Sequence, residues 1–356
     1  MVQSSQADVS WLSLSVIIPI RNGREHLPAC LDALSTSLRK PDEIVVVDDS
    51  SEDGSAAVAL ACNCKVVSLG GGGRGAASAR NRGVAASSGE ILVFIDSDVV
   101  VHPETLLRIE QQFLMDTDLS GLFGSYDDTP MEPGAISSYR NLLHHYIHKN
   151  SRRNASTFWA GCGAIRREAF FAVGGFDETY RWLEDIELGL RLCASNRRIL
   201  LCPEIQVTHR KRWTFSQMIY SDIMHRTVPW TRLILRHRFL PDDLNLRHEH
   251  RFSALAAWLV VGLAAMAPSH RLALDVALLP IAVLLGYNWE LYRLFQRKGG
   301  LFFSLGAIGL HWLHYLYTSA TFTAVVVGSC VRRHVAVRNA DAASIPREVA
   351  GLPCTD

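Results

Sequence analysis

Short apolar runs alternate with amphipathic stretches through the first 113 residues. Four apolar runs with many β-branched residues have the length of buried strands, at 14–20, 43–47, 65–69 and 91–95. The segments that follow them have helical apolar spacing, at 25–38, 54–61, 76–86 and 103–113. Repeated strand–helix units predict an α/β fold with a mostly parallel sheet. Ligands of such sheets bind at the carboxyl ends of the strands.

The pattern changes twice further along the chain. Residues 121–210 mix polar and apolar positions without a regular period, apart from a helical pattern at 185–194. We interpret them as the second half of the same domain, which would bind a second substrate. Beyond them come an amphipathic, basic segment and then three apolar runs, at 254–267, 272–287 and 301–331. The chain is therefore divided into an N-terminal tail (1–13), an α/β domain (14–213), an interfacial segment (214–251), about three transmembrane helices (252–331) and a C-terminal tail (332–356).

The apolar runs predict membrane attachment. A spanning helix needs roughly 20 apolar residues, and the third run has 31 without Asp, Glu, Lys or Arg. The first two runs are marginal, since one is short and the other contains Asp275 and Pro280. Buried helices of a soluble domain are the alternative, but three such runs would need a large partner surface to cover them.

Charge sets the expected orientation in the membrane. Although the formal net charge is only +1, residues 209–251 carry nine Lys or Arg against four Asp or Glu. Basic residues beside apolar helices favour the cytoplasmic side. The first thirteen residues lack the features of a signal peptide, and the eight cysteines are scattered. We therefore expect a multi-pass protein of the inner or plasma membrane with a cytoplasmic catalytic domain.

Carboxylates follow directly after two of the predicted strands. Asp96 and Asp98 end the fourth run, where acids two residues apart can hold a divalent cation and a sugar hydroxyl. Asp48 and Asp49 end the second run, where they can accept hydrogen bonds from a nucleobase or a ribose. An ordinary turn and a helix N-cap explain the same residues, so both interpretations remain open at this point.

Two further acids open the helical pattern near residue 186. Glu184 and Asp185 lie close after Trp182, a candidate for contact with phosphate or acceptor. The helix dipole favours acids in a first turn, so helix stabilisation alone could account for both. A general base also needs a rigid mount at the edge of an acceptor pocket, which a helix start provides.

Basic residues follow the glycine cluster and close the domain. Arg80 suits either a pyrophosphate contact or a surface helix. His209 could complete a metal site with Asp98. Arg212 and Trp213 could contact the leaving phosphates or the acceptor, or simply add juxtamembrane charge facing anionic lipid.

In this order, the motifs resemble the family 2 glycosyltransferases of the GT-A fold over roughly residues 14–213. They are Pro19-Ile20-Arg21-Asn22, Val47-Asp48-Asp49-Ser50-Ser51, Ala79-Arg80-Asn81-Arg82-Gly83, Asp96-Ser97-Asp98, Gly161-Cys162-Gly163-Ala164, Gly175-Phe176-Asp177-Glu178 and Glu184-Asp185. The resemblance implies a nucleotide-sugar-binding domain and an inverting transferase that uses Mn²⁺ or Mg²⁺.

The resemblance also implies roles for the matched residues. Those that would bind the donor are Pro19, Asn22, Asp48, Asp49, Arg80, Asp96 and Gly161. Asp98 would bind the metal, and Asp185 would be the catalytic base with Glu184 beside it. We expect a UDP-sugar donor, because the family implies it most often, and a membrane-associated, lipid-linked hydroxyl acceptor. No nucleic-acid partner is expected.

Three other functions are compatible with parts of the pattern. Processive polysaccharide synthases have a Q-x-x-R-W motif of which only Arg212 and Trp213 are present, with His209 replacing the glutamine. A sugar-1-phosphate nucleotidyltransferase would have a glycine-rich, basic signature directly after the first strand, which this sequence matches poorly. A non-catalytic membrane scaffold would be expected to lose acids such as Asp49 and Asp185, and both are present.

Overall fold

The four predicted strands form one half of an eight-stranded sheet. In a computed structural model of the chain, residues 11–237, 244 and 247–343 are described, with side chains as far as residue 332. Strands β1 (Leu14–Ile20), β2 (Glu43–Asp48), β3 (Lys65–Ser68) and β4 (Ile91–Ile95) are parallel and lie in the order β3-β2-β1-β4. The bounds of β1 and β4 match the prediction, which confirms the mostly parallel α/β core.

The second half of the sheet mixes directions. It contains β5 (Val99–Val101), β6 (Leu119–Tyr126), β7 (Cys162–Arg166) and β8 (Arg198–His209), and the order continues β4-β7-β6-β8-β5. β7 is antiparallel to β4 and β6, whereas β8 is parallel to β6 and antiparallel to β5. The pairing of β5 with β8 places Val99 opposite His209, so Asp98 and His209 lie at the same edge of the sheet.

Helices cover both faces of the sheet. One face packs on α1 (Leu27–Ser35), α2 (Ser55–Ala61) and α4 (Thr105–Met115), and the other on α3 (Ala76–Ala85), α6 (Arg167–Ala172) and α7 (Glu184–Ala194). Alternate side chains of β1 point to the two faces of the sheet. Val16 and Ile18 pack in the core beneath α1, α2 and α4, and Ile17 packs in the core beneath α3, α6 and α7. Burial on both faces explains why the strands read as continuous apolar runs.

The C-terminal helices pack on the sheet domain through α5 (Ala135–Asn150). They are α8 (Phe215–Tyr220), a π-helical segment (Ser221–Thr227), α9 (Val228–His237), α10 (His248–Met266), α11 (Leu272–Tyr287) and α12 (Trp289–Ala343). Tyr139 and Leu142 of α5 form one buried cluster with Leu291 and Phe295 of α12. The predicted interfacial segment at 214–251 is helical up to residue 237, and 238–243, 245 and 246 lie outside the described residues.

The apolar runs fold into α10, α11 and α12, and these helices expose many large apolar side chains. Phe302 is 90% exposed, and Leu272 and Leu279 are also exposed. No single described helix is long and apolar enough to cross a membrane, but α11 and α12 up to Arg332, which meet at 68°, could do so as a bent pair.

Candidate functional site

A cleft of about 570 Å³ opens where β1, β2 and β4 end. Seven of the predicted site residues line it, namely Pro19, Asp49, Arg80, Asp96, Asp98, Trp182 and Glu184. The volume lies within the roughly 300–1,000 Å³ of small-molecule sites, and the position is the one expected for ligands of parallel sheets. We call this space the donor cleft.

Arg80 connects two of the acidic motifs across the donor cleft. Its Nη2 donates to Asp96 Oδ1 at 2.8 Å, and its Nη1 donates to Glu184 Oε1 at 2.6 Å. The side chain of Arg80 is only 6% exposed. Burial raises the pKa of the Glu184 carboxyl to about 7, while Arg80 opposes this rise and the charge of Asp185 adds to it. Arg80 therefore fixes the positions of two acids that would otherwise repel each other.

The turn before α7 orients Asp185. Leu183 has φ 63° and ψ 24°, a left-handed conformation that is costly for a leucine and is found where surrounding structure imposes it. Asp185 Oδ2 accepts a hydrogen bond from the Ala160 amide at 3.1 Å, and its Oδ1 accepts one from the Ile186 amide at 2.8 Å. These two bonds fix the orientation of Asp185, which follows Glu184 in the chain but does not itself line the donor cleft.

Asp98 and His209 form a pair at the edge between β5 and β8. Asp98 Oδ2 lies 3.6 Å from His209 Nε2, and the imidazole stacks on Tyr126 with ring centroids 4.4 Å apart. Burial favours a higher pKa for Asp98, but the hydrogen bond and charge of His209, with help from Lys211, hold this pKa below its usual value. An ionised carboxylate and an imidazole are ligands suited to Mn²⁺.

The pair is not part of a larger preformed ligand cluster. Among the residues that the structure describes, no group of three or more His, Cys, Asp or Glu side chains is placed to hold a metal ion. The structure brings Asp98 and His209 close together, and their role as metal ligands stays a prediction.

Asp49 holds the glycine-rich loop against the donor cleft. Its two carboxylate oxygens accept hydrogen bonds from the Arg74 amide at 2.7 Å and the Gly75 amide at 2.8 Å. Gly75, with φ 96°, adopts a conformation that favours glycine and immediately precedes α3. Asp49 thus combines the two roles that the sequence left open, since it faces the cleft and also holds a helix start.

Asp48 and Asn22 do not line the donor cleft. Asp48 is buried, and its Oδ1 accepts a hydrogen bond from the Ser51 amide at 3.0 Å. Asn22 Oδ1 accepts one from the Glu52 amide at 2.9 Å. Both side chains thus accept hydrogen bonds from backbone amides of the turn after β2.

Gly161 lies behind Asp96 and does not line the donor cleft. Its carbonyl accepts a hydrogen bond from the Asp96 amide at 3.4 Å. A Cβ at this position would lie 2.5 Å from the indole ring of Trp159, so no larger residue fits without movement of that ring. Gly161 thus allows Trp159 to pack directly behind the acidic motif.

The three candidate contact residues differ in position. Trp182 lines the donor cleft and stacks on His225, with ring centroids 3.7 Å apart. Trp213 lies instead under the guanidinium of Arg140, which is 4.1 Å from the ring centroid. Neither Arg212 nor Trp213 lines the cleft.

Three arginines of the donor cleft were missed by the sequence analysis as site residues. Arg21, Arg74 and Arg181 line it from three separate loops and supply positive charge suited to a diphosphate. Arg21 belongs to the Pro19-Ile20-Arg21-Asn22 motif, whereas no local pattern distinguishes Arg74 and Arg181 from surface arginines, and only the fold brings the three together.

The sequence of the sheet domain matches a known family. Residues 15–174 match the family model described as glycosyl transferase family 2. The chain carries a family 2 glycosyltransferase domain. An uncharacterised glycosyltransferase of Haemophilus influenzae is 27% identical over 190 residues, which are 50% of this chain and 61% of that protein. The O-antigen chain rhamnosyltransferase WbaN of Salmonella anatum is 22% identical over 232 residues, 61% of this chain and 74% of that protein.

A solved structure shares the fold of this chain. Mannosyltransferase PcManGT of Pyrobaculum calidifontis, in complex with GDP-Man and Mn²⁺, superposes with a TM-score of 0.59 at 18% identity, covering 86% of this chain and 88% of that one. Residues 1–213 are less than two thirds of the chain, so the match extends into the C-terminal helices. The predicted GT-A-like fold is confirmed.

Proposed function

We propose that the protein is a metal-dependent, inverting glycosyltransferase that moves a sugar from a nucleotide-sugar to a hydroxyl of a membrane-associated, lipid-linked acceptor. The proposal rests on the donor cleft, where the fold gathers seven residues predicted from the sequence, six of them from five separate motifs and the seventh a tryptophan. The first donors to test are UDP-sugars, followed by GDP-sugars.

Positive charge and hydrogen-bonding groups suit the cleft to a nucleoside diphosphate. Arg21, Arg74 and Arg181 face the space where the diphosphate would lie, and Asp49 offers a carboxylate for the base or ribose. Asp98 and His209 would hold Mn²⁺ or Mg²⁺. A bound divalent ion would supply positive charge that stabilises the leaving diphosphate.

The acids have separate roles in this scheme. Asp185 takes the proton of the acceptor hydroxyl, whose oxygen attacks the anomeric carbon. The bond from that carbon to the phosphate oxygen breaks, and its electron pair leaves with the nucleoside diphosphate. One displacement inverts the anomeric configuration, so an α-linked donor gives a β-linked product. Arg80 keeps Asp96 and Glu184 in place beside the reacting sugar.

Membrane attachment places this chemistry near a lipid acceptor. The exposed apolar side chains of α10 to α12 would lie in the membrane, and the basic residues of 209–251 would face its cytoplasmic surface. We place the protein in the inner or plasma membrane with the sheet domain in the cytoplasm. Protease protection of tagged termini in vesicles tests this orientation.

Donor hydrolysis tests the catalytic proposal. We expect the purified protein with Mn²⁺ to hydrolyse one member of a nucleotide-sugar panel, and both excess chelator and Asp98→Ala to abolish this activity. Asp118→Ala, at an exposed acid far along the chain from the motifs, is the matched control and should behave as wild type. Full activity in excess chelator would remove the metal from the mechanism.

A further inference from the structure

A second cavity, of about 480 Å³, lies among the C-terminal helices. It is enclosed by α5, the π-helical segment, α9, α10 and α12, and its wall is mainly apolar and aromatic, including Leu143, Trp230, Ile234, Leu255, Trp258 and Phe322. We call it the apolar cavity. Leu255 and Trp258 are also exposed on the outer surface of α10, so the cavity adjoins the apolar face of these helices.

One cationic side chain in the wall of the apolar cavity lacks a counter-ion. Arg226 is exposed to this space, and within the described part of the chain it has no hydrogen-bond or ion-pair partner. The nearby carboxylate of Asp222 is already engaged. It accepts hydrogen bonds from Arg140 at 2.7 Å and from the Tyr317 hydroxyl at 2.6 Å, and lies 3.4 Å from His314. A net positive charge therefore faces an apolar space.

The cationic end of the apolar cavity is directed toward the donor cleft. Arg226 follows His225, which stacks on Trp182 in the wall of the cleft. Arg226 is also close enough to Asp185 for their charges to interact. Both His225 and Arg226 belong to the π-helical segment, a rare conformation that is frequent at functional sites. The stacked rings of Trp182 and His225 thus link the wall of the donor cleft to the segment that carries Arg226.

We infer that the apolar cavity holds the hydrocarbon chain of the acceptor lipid and that Arg226 binds a phosphate attached to that chain. The inference rests on the proposed function and assigns the acceptor class, a prenyl-type lipid phosphate. An apolar wall gains by excluding water from a hydrocarbon chain, and a guanidinium without a counter-ion gains by charge-assisted hydrogen bonds to phosphate. A saccharide carried on that phosphate would then present its hydroxyl toward Asp185, the proposed base.

Binding of farnesyl phosphate to the full-length protein in neutral detergent tests the inference. Calorimetry should show binding of farnesyl phosphate, with much weaker binding of farnesol and of inorganic phosphate. We expect Arg226→Gln to weaken the affinity for farnesyl phosphate roughly 10- to 100-fold, as for loss of a hydrogen bond to a charged group, and Arg226→Lys to restore part of it. Arg232→Gln, at an exposed arginine of α9, is the matched control.

Three outcomes of these binding measurements would overturn the inference. One is an Arg226→Gln protein that binds farnesyl phosphate as tightly as wild type, and a second is equal binding of farnesol and farnesyl phosphate. Inorganic phosphate binding as tightly as the lipid would also overturn it, since that would assign Arg226 to a soluble anion. These readouts require no sugar transfer.

A second pair of variants tests the chain-binding space. Thr323 lines the apolar cavity, whereas its neighbour Ala324 is exposed and does not. Thr323→Trp should reduce binding of farnesyl phosphate at least as much as Arg226→Gln, and Ala324→Trp should leave it unchanged. Equal binding by both tryptophan variants would exclude this cavity as the lipid site.

Failure of the inference and failure of the proposed function have different signatures. If the protein hydrolyses a nucleotide-sugar but does not bind farnesyl phosphate, the inference fails and the transferase function stands. If it binds farnesyl phosphate through Arg226 but neither binds nor hydrolyses any nucleotide-sugar, the proposed function fails and the lipid site stands.

Discussion

The donor cleft and the apolar cavity have similar volumes, about 570 and 480 Å³, but opposite charge balance. In the donor cleft, Arg80 is shared by Asp96 and Glu184, and Asp98 adds a further carboxylate that suits a cation. In the apolar cavity, Arg140 neutralises Asp222, and Arg226 is left to attract an anion.

The difference follows from the elements that build each space. Loops at the ends of parallel strands converge, so the donor cleft collects many polar side chains from distant motifs. Helices packed side by side present apolar faces, so the apolar cavity contains few charges. Each of these charges therefore has a larger influence on which ligand binds. A single substitution in the apolar cavity should therefore change which ligand binds there. In the donor cleft, a single substitution should instead lower turnover or the free energy of unfolding.

The largest expected effect concerns the base. Asp185→Asn keeps the size and the acceptor oxygen of the side chain but removes its ability to take a proton. We expect turnover to fall roughly 10²- to 10⁴-fold while donor affinity stays close to wild type. Steady-state kinetics and nucleotide binding check this together. Poor donor binding with normal turnover at saturation would assign Asp185 to binding instead.

The next effect concerns the stability that the buried ion pairs of Arg80 contribute. Arg80→Met leaves Asp96 and Glu184 without their shared cation, and breaking a buried pair in this way costs about 3–5 kcal/mol of unfolding free energy. Denaturant unfolding measures this loss. Arg82→Met, at an exposed position of the same helix, is the control. A loss as small as that of the control would mean that Arg80 does not hold the acids in place.

Acid should weaken the packing of α5 on the sheet. His148 of α5 is buried, its Nδ1 lies 3.0 Å from the Gly124 carbonyl, and its ring contacts Trp159. Burial lowers the pKa of His148 from 6.5 to about 4, although the bond to Gly124 opposes this. Below its usual pKa the unfolded chain binds the extra proton and the folded chain does not. Stability present above pH 6.5 should thus fall as the pH drops toward 4, by about 3 kcal/mol.

His148→Gln tests this pH dependence because glutamine can still donate to Gly124 and does not titrate. We expect a shallower loss of unfolding free energy between pH 6.5 and 4 than in wild type. His237→Gln, at an exposed position of α9, should follow the wild-type curve. Identical curves for all three proteins would show that His148 does not contribute to acid sensitivity.

The smallest effect concerns Asp222 in the apolar cavity. Asp222→Asn weakens the hydrogen bonds from Arg140 and Tyr317, which should cost about 1.5–3 kcal/mol of stability. Thermal unfolding in detergent checks this, and Asp275→Asn on the exposed side of α11 is the control. Donor affinity should be unchanged, and a marked fall in donor affinity would contradict the separation of the two spaces.

The sequence predicted the parts whose signals are local. β1 and β4 are buried on both faces and read as continuous apolar runs, so their bounds matched the prediction. The acids after β2 and β4 were identified because they end such runs. The strands β6, β7 and β8 were not predicted, since their mixed patterns depend on antiparallel and parallel partners far apart in the chain.

The site was predicted in part for the same reason. Asp96, Asp98 and Glu184 belong to motifs and were found, whereas Arg226 has no motif and acquires its position from the packing of α5, α9 and α12. Asp48 and Asn22 stand in the same motifs as the cleft residues Asp49 and Pro19, but their side chains do not line the cleft. Each instead accepts a hydrogen bond from a backbone amide, at Ser51 and Glu52 respectively, and the sequence does not reveal such single bonds.

The position of α5 determines how the chain should unfold. Its His145 and His148 bind backbone carbonyls of β6, at Tyr126 and Gly124, while its Tyr139 and Leu142 pack against α12. One helix is therefore shared by both hydrophobic cores, and neither core can lose it without exposing apolar surface. Although the sequence suggests a boundary near residue 213, we expect the sheet domain and the C-terminal helices to melt in one cooperative transition. A protein cut after residue 251 would consequently lose the covering of α5 and would be less stable than the intact chain.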